Sequence, residues 1–269
     1  MPTSSRASPS LESKLFLAAR SHGASQVQKL LALGANPLAT NANGETPLIV
    51  AAAAASRYAP GSSEAAARIA VVEVLAPVSN VDAISGDGQS AMRRACLGDR
   101  PQLVNILLGA GAVPDARAAK TDWTPLMIAA SAGSEACVRI LLAAGADPKI
   151  TARSGFTALM AAAKYQPSIV DILIPVSDAQ AKGAMGRDAL MIAAYYGSEE
   201  CVRKLLWVCD SQATDERGLG AADYAAKRGG RAGLVRLIRQ EGPIHSERLA
   251  LLDATAGASA PVAKTRLSL

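Results

Sequence analysis

Residues 121–148 read TDWTPLMIAASAGSEACVRILLAAGADP, and each part of the stretch has a local reading. Thr124 suits a helix N-cap and Pro125 the first helical turn, where a missing N–H costs nothing. Leu126, Met127, Ala129 and Ala130 then make a compact apolar helix, which Gly133 breaks. Ser134 is the expected cap of a second helix, in which Val138, Leu141 and Leu142 fall at i, i+3 and i+4 on one apolar stripe. Gly145 stops that helix in the left-handed cap position, and Pro148 prevents a restart. Two short helices with one small interface bury too little surface to stand alone, so they need copies of themselves on either side.

The copies are present. The residue before each first helix is Ser13, Thr46, Ser90, Thr124, Thr157, Asp188 and Gly220, in steps of 33, 44, 34, 33, 31 and 32 residues. The first helices read KLFLAA, TPLIVAA, SAMRRAC, TPLMIAA, TALMAAA, DALMIAA and GAADYAA. The second helices read VQKLLALGANP, VVEVLAP, LVNILLGAGAVP, CVRILLAAGADP, VDILIP, CVRKLLWV and LVRLIR. The pattern resembles the ankyrin repeat family, a helix–turn–helix unit of about 33 residues that opens on Thr-Pro-Leu-His. The resemblance implies an all-α fold, a solenoid of about seven helix–turn–helix repeats with short turn tips. One departure is systematic: the family's His after Thr-Pro-Leu is Ile49, Arg93, Met127, Met160 or Met191 here. The Thr–His hydrogen bond of the family is then absent, and apolar packing is expected instead. Arg93 is expected to send its head to solvent or to a carboxylate such as Asp87 or Asp99.

Composition agrees with that reading. Half of the residues are hydrophobic but only 3% are aromatic, as in a core of Ala, Leu and Val between close helices. A net charge of +5 permits an acidic partner and is weaker than a nucleic-acid-binding tail would give. No apolar run reaches the roughly 18 residues of a membrane span, and MPTSSRASPSLESK lacks the hydrophobic stretch of a secretory signal. Cys96, Cys137, Cys201 and Cys209 fall on small-hydrophobe positions and read as buried, reduced thiols. A cytoplasmic location follows. The competing reading of the Ser-rich start is an export signal of an effector.

The chain divides into a disordered tail over 1–10, the repeat domain over 11–241 with an insertion near 56–66, and a C-terminal segment over 242–269. In the insertion, Pro60 to Ser63 reads as a loop and Ser63 as the cap of a helix through Leu75. Arg231, Arg236 and Arg239 suit the exposed face of a last, capping repeat. Gly242-Pro243 is expected to end that repeat. A short helix capped by Ser246 and a disordered tail follow.

No catalytic constellation is legible. There is no phosphate-binding Gly-rich loop, no Gly-x-Ser-x-Gly and no Cys-x-x-Cys, and the two histidines are His22 and His245. The chain reads as a non-enzyme without metal or cofactor. The ankyrin resemblance implies a binding function on a concave face, built from the tip residue before each cap and the two residues after each Ala-Ala pair. Five of the nine aromatic residues fall on those positions: Trp123, Phe156, Tyr165, Tyr195 and Tyr196. With Arg153, Lys164, Arg187, Lys227 and Arg228 they make the candidate partner-binding set in repeats four to seven. Aromatic and Arg side chains are what interface hot spots are built from. The plainer reading is that the rings pack on one another. The expected partner of this monomeric module is another protein, through a segment with apolar and acidic groups. Nucleic-acid binding is the alternative, opposed by the interleaved Asp122, Asp188, Asp215 and Glu216. An effector or inhibitory subunit acting on an enzyme is a further one.

Overall fold

The computed structural model describes residues 9–21, 23–59, 61–118, 121–227 and 231–258, with side chains described up to Arg248. Among these residues the chain is helical, and its one extended pairing is an isolated bridge between Thr214 and Gly220. The helices come in seven successive pairs. They are α1 Leu11–Arg20 with α2 Ala24–Ala32, α3 Pro47–Ala55 with α4 Ser63–Leu75, α5 Ala91–Leu97 with α6 Pro101–Gly109, and α7 Pro125–Ala132 with α8 Glu135–Ala143. The rest are α9 Ala158–Ala163 with α10 Pro167–Leu173, α11 Ala189–Tyr196 with α12 Glu199–Leu205, and α13 Ala221–Ala226 with α14 Ala232–Ala258. The chain divides inside α9, after Ala162, into two compact units.

Six of the seven first helices start at a side-chain cap, α13 after Gly220 being the exception. The side chains of Thr46, Ser90, Thr124, Thr157 and Asp188 each accept a hydrogen bond from the backbone N–H three residues on, satisfying a donor that has no partner within the helix. Repeat one is the exception to the expected register. Ser10, not Ser13, is its cap, because the Ser10 hydroxyl accepts from the Ser13 N–H at 3.2 Å and places Ser13 inside α1. In the insertion Ser62, not Ser63, caps α4.

First and second helices bury themselves differently. Leu126 to Ala130 of α7 are all buried, so this helix is covered around its circumference. Met127, Met160 and Met191 are each about 1% exposed, and apolar packing does take the place of the family's His. The second helices are amphipathic: Cys137, Val138 and Leu141 of α8 are fully buried, while Glu135 and Arg139 pair on the outside at 2.9 Å. In the first unit α1, α3, α5 and α7 pack side by side in one layer, and α2, α4, α6 and α8 in a second. In the second unit α11 packs on α13 and α12, α10 on α12, and α13 on α14.

Neighbouring repeats are also tied by hydrogen bonds that local sequence does not announce. Ser134 precedes α8 but makes no cap bond; its hydroxyl donates to the Cys96 carbonyl at the end of α5, at 2.8 Å. Arg100, at the same place before α6, donates to the carbonyls of Ala55, Ser56 and Tyr58 just past α3. In the second unit Arg231 donates to the carbonyls of Ala194, Tyr195 and Tyr196 at the end of α11, at 3.2, 2.5 and 2.9 Å. These carbonyls lack partners within their own helix, and a cation there also meets the negative end of the helix dipole. Arg231 is therefore not the exposed cap charge expected from the sequence. Gly197 is matched to it: its φ is +81°, and a Cβ there would lie 2.4 Å from the Arg231 Cζ. Arg93, which is part-exposed, donates through Nε to Gln89 Oε1 at 3.1 Å, so of the ends expected for its head Asp87 and Asp99 do not take this bond.

The insertion is anchored rather than loose. Arg68 of α4 donates to the Tyr58 hydroxyl at 2.8 Å and to the Arg20 carbonyl at 2.6 Å, with its guanidinium 4.2 Å from the centre of the Tyr58 ring. The C-terminal segment corrects the sequence more strongly. α14 runs through Gly242-Pro243 without a break, although proline removes one helical hydrogen bond and crowds the preceding turn. Contacts around the proline account for its survival. Ser246, instead of capping a new helix, donates to Asp210 Oδ1 at 3.1 Å and accepts from the Ser211 N–H at 3.0 Å, while His245 lies 4.0 Å from the Trp207 ring centre. Of the tails expected to be disordered, residues 1–8 and 259–269 lie outside the described residues, while Ser10 caps α1 and 255–258 continue α14.

Replacing Arg231 by Met keeps the aliphatic stem and removes three charged donors. The expected loss is about 2 kcal/mol, read as a lower urea midpoint, and an unchanged midpoint would deny the carbonyl clamp a role in stability.

Candidate functional site

In the first unit the candidate residues sit on two adjacent turn tips. The tip of repeat four is closed by Ala118 N–H donating to the Trp123 carbonyl at 3.0 Å and by Asp122 N–H donating to the Ala118 carbonyl at 2.8 Å. Asp122 takes a left-handed φ of +58° to do so. The tip of repeat five is closed in the same way, by Ala152 N–H on the Phe156 carbonyl. Side by side, the two tips stack Trp123 on Phe156, ring centres 5.4 Å apart and planes at 10°. Asp122 receives Arg117 at 2.6 Å and lies 4.0 Å from Arg153, whose side chain is 81% exposed.

The second unit gathers the tyrosines. Tyr196 meets Tyr165 edge-on at 5.5 Å and Tyr195 at 5.3 Å, and Tyr195 meets Tyr224 at 6.1 Å. The Lys164 ammonium lies 4.6 Å from the Tyr196 ring centre and 5.7 Å from that of Tyr165. Lys227 lies 5.4 Å from the Tyr224 ring centre. Tyr165 is the outermost ring, 53% exposed. Both readings of the aromatics thus hold in part: the rings pack on one another, and their cluster still presents a face with two ammonium groups on it. Arg187, at the tip before α11, donates to the Ala184 carbonyl at 3.2 Å. Arg228 lies outside the described residues, as does His22.

The sequence reading missed Tyr224, which occupies a core position of the GAADYAA helix. It is 6% exposed, and its hydroxyl donates to Asp215 Oδ2 at 2.6 Å. Asp215 Oδ1 in turn accepts the backbone N–H groups of Arg217 and Leu219, each at 2.9 Å, so one carboxylate fastens the tip to α13. Asp188 is occupied too, capping α11 through Oδ1 and receiving Lys182 at 2.7 Å. Of the acids expected to offset the basic groups, Asp188 and Asp215 are therefore engaged within their own repeats, while Asp122 pairs with Arg117 and lies 4.0 Å from Arg153 of the next. Among the described residues, no carboxylate lies within ion-pair distance of Lys164, Lys227 or Arg187.

The four cysteines are buried and unpaired. Burial pushes the thiols of Cys137 and Cys209 up to about 12, and that of Cys201 up as well, so none has the lowered pKa of a nucleophile. Among the described residues no three His, Cys, Asp or Glu side chains group as metal ligands, and no helix is long and apolar enough to cross a membrane.

Paired short helices, capped by Thr-Pro or its variants and joined to side-by-side neighbours through turn tips, define a helical repeat protein. The family described as "Ankyrin repeats (3 copies)" matches residues 62–152, 95–181, 144–216 and 159–248, and the chain belongs to that family. The human ASB11 ankyrin repeat domain superposes with a TM-score of 0.70 over 83% of this chain and 96% of that one, at 21% identity, a likeness of fold alone. In sequence, the glycerophosphocholine phosphodiesterase gde1 of Schizosaccharomyces pombe is 36% identical over 89 residues, 33% of this chain and 8% of that protein. The E3 ubiquitin-protein ligase KEG of Arabidopsis thaliana is 27% identical over 141 residues, 52% of this chain and 7% of that protein. The chain thus spans less than a tenth of each of these relatives.

The Asp215–Tyr224 pair makes stability depend on pH. The Tyr224 hydroxyl, then the N–H groups of Leu219 and Arg217, hold Asp215 below its ordinary 3.8. Burial, then Asp215, pushes Tyr224 above its ordinary 10.0. The lowered acid contributes stability above 3.8 that is lost as pH falls through its folded value; the raised phenol contributes stability below 10.0 that is lost as pH rises through its own. The gap in Tm between the wild type and Tyr224→Phe should be widest between these limits and shrink beyond both. A gap constant with pH would mean that the pair does not stabilise the fold.

Proposed function

We propose that this chain is a non-catalytic protein-binding module, an adaptor or regulatory binder, and that its partner docks on the faces carried by repeats four to seven. Ankyrin repeats generally bind proteins, which sets the class of function. The observation that carries the finer reading is the tyrosine cluster of the second unit, with Lys164 and Lys227 against its rings. Rigid rings give contact area at small entropic cost, and ammonium groups that meet no carboxylate among the described residues attract acidic groups. The stacked Trp123 and Phe156, with Arg153 beside them, offer a comparable combination in the first unit. A partner segment bearing apolar and acidic side chains suits both. The enzymatic names of the sequence relatives belong to proteins of which this chain matches under a tenth. Buried, unpaired thiols support a reducing, cytoplasmic setting.

Tyr165 gives the cleanest test, since its ring is exposed and its loss leaves the Arg231 clamp on α11 intact. Tyr165→Ala should weaken the principal partner about 30-fold with little change in Tm. Trp207→Ala, at the ring that faces His245 and Arg248, should leave affinity alone. Wild-type affinity in the Tyr165 variant, or a loss confined to the Trp207 variant, would rule out this face. A steep fall of affinity with salt, with an oligonucleotide as competitor, would favour nucleic acid instead.

A further inference from the structure

Helix α14 is continuous in its backbone but is anchored in two different ways. Its first stretch, up to Glu241, belongs to the core of repeat seven, where Leu234, Leu237 and Ile238 are buried. Past Gly242 that changes. From Pro243 to Arg248 no residue is buried, and Ile244 is 66% exposed. The change coincides with a gap in the helical hydrogen bonding. Pro243 has no N–H to give to the Arg239 carbonyl one turn earlier, and its ring crowds that carbonyl.

A small polar contact holds the second stretch. Gly242 crosses the turn after α12 so closely that a Cβ there would lie 2.6 Å from the Ser211 Cβ. One turn on, the Ser246 hydroxyl donates to Asp210 Oδ1 at 3.1 Å and accepts from the Ser211 N–H at 3.0 Å. The Ser211 hydroxyl is also 3.0 Å away. Asp210 Oδ1 accepts the Gln212 N–H at 2.9 Å as well. His245 lies 4.0 Å from the Trp207 ring centre, and the Arg248 guanidinium 5.4 Å from it. The central bond thus sets a neutral hydroxyl against a carboxylate. A negative charge in place of that hydroxyl would meet Asp210 directly, and like charges so close repel.

We propose that residues 242–258 form a strap that docks on Trp207, Asp210 and Ser211 as a unit and lifts off them while the helix pairs stay folded. Pro243 is the hinge and Ser246 the latch. Segments held by few buried apolar contacts open at lower free energy than the core beside them. Opening bares the face of the Trp207 ring that His245 and Arg248 now cover, so the exposure of that ring depends on the latch. The tyrosine face takes no part in the device, which stands or falls apart from the function proposed above.

Hydrogen–deuterium exchange of the whole chain, resolved by peptide and corrected for intrinsic rates, tests the strap. In the wild type the amides of 244–252 should exchange about tenfold faster than those of 235–241. Ser246→Asp should speed the first set by a further factor of about ten and leave the second unchanged. Asp210→Asn added to Ser246→Asp should return the protection, because it removes the repulsion and keeps an oxygen for the Gln212 N–H. Pro243→Ala should slow 244–252 toward the rate of 235–241 by supplying the missing hydrogen bond. Equal acceleration of both sets in Ser246→Asp would overturn the strap, since α14 would then open as one piece. No acceleration, or no rescue by Asp210→Asn, would overturn the latch. An unchanged rate in Pro243→Ala would overturn the hinge.

Discussion

No helix pair in this chain can hold itself together, and that constraint shapes the rest. First helices of six to ten residues are far below the length at which an isolated helix is stable in water. The central ones, such as α7, are apolar around their whole circumference, so only neighbours on several sides can cover them. Small residues permit the close approach. Ala51, Ala52, Ala129, Ala130, Ala193 and Ala194 are each fully buried where first helices face their neighbours. Hydrogen bonds from Ser134, Arg100 and Arg231 then satisfy the helix ends that such short elements leave open.

The same constraint frees other positions for binding. With the core made of Ala, Leu, Val and Met, aromatic rings are not needed inside, apart from Tyr224. Most of the others collect at turn tips and at the ends of first helices, where side chains leave the layer; Phe16 within α1 and Trp207 after α12 do not. Their mutual packing fixes rotamers before a partner arrives, which lowers the entropy that association would otherwise cost. The engaged acids Asp122, Asp188 and Asp215 also matter, since they hold the tips in shape.

What was legible in the sequence was what is local. Thr124 and Pro125 announce a helix start within four residues, and Gly145 a helix stop, whatever surrounds them. Repetition of those signals gave seven helix pairs and the buried phase of Cys137 and Leu141. The contacts between repeats were not legible. Ser134 looks like a cap because caps are local, yet its hydroxyl serves a carbonyl 38 residues earlier. Arg231 looks like surface charge because its three acceptors lie 35 to 37 residues away. Pro243 predicts a break that the Ser246, Ser211 and Trp207 contacts override. Tyr224 could have been noticed as a polar-tipped ring in an alanine helix, which requires a buried acceptor. Of the candidate site, the sequence supplied the positions of the rings but not their pairing.

The central claim is that stability resides in packing between neighbouring repeats, and Leu141 probes it most directly. It lies fully buried on α8, which packs against α7 of its own repeat and α6 of the one before. Equilibrium urea denaturation of Leu141→Ala against the wild type is the measurement. The account predicts a loss of roughly 2–5 kcal/mol, as for a large-to-small change in a close-packed core. Coincident midpoints would contradict it, because a residue whose removal costs nothing is not holding two repeats together.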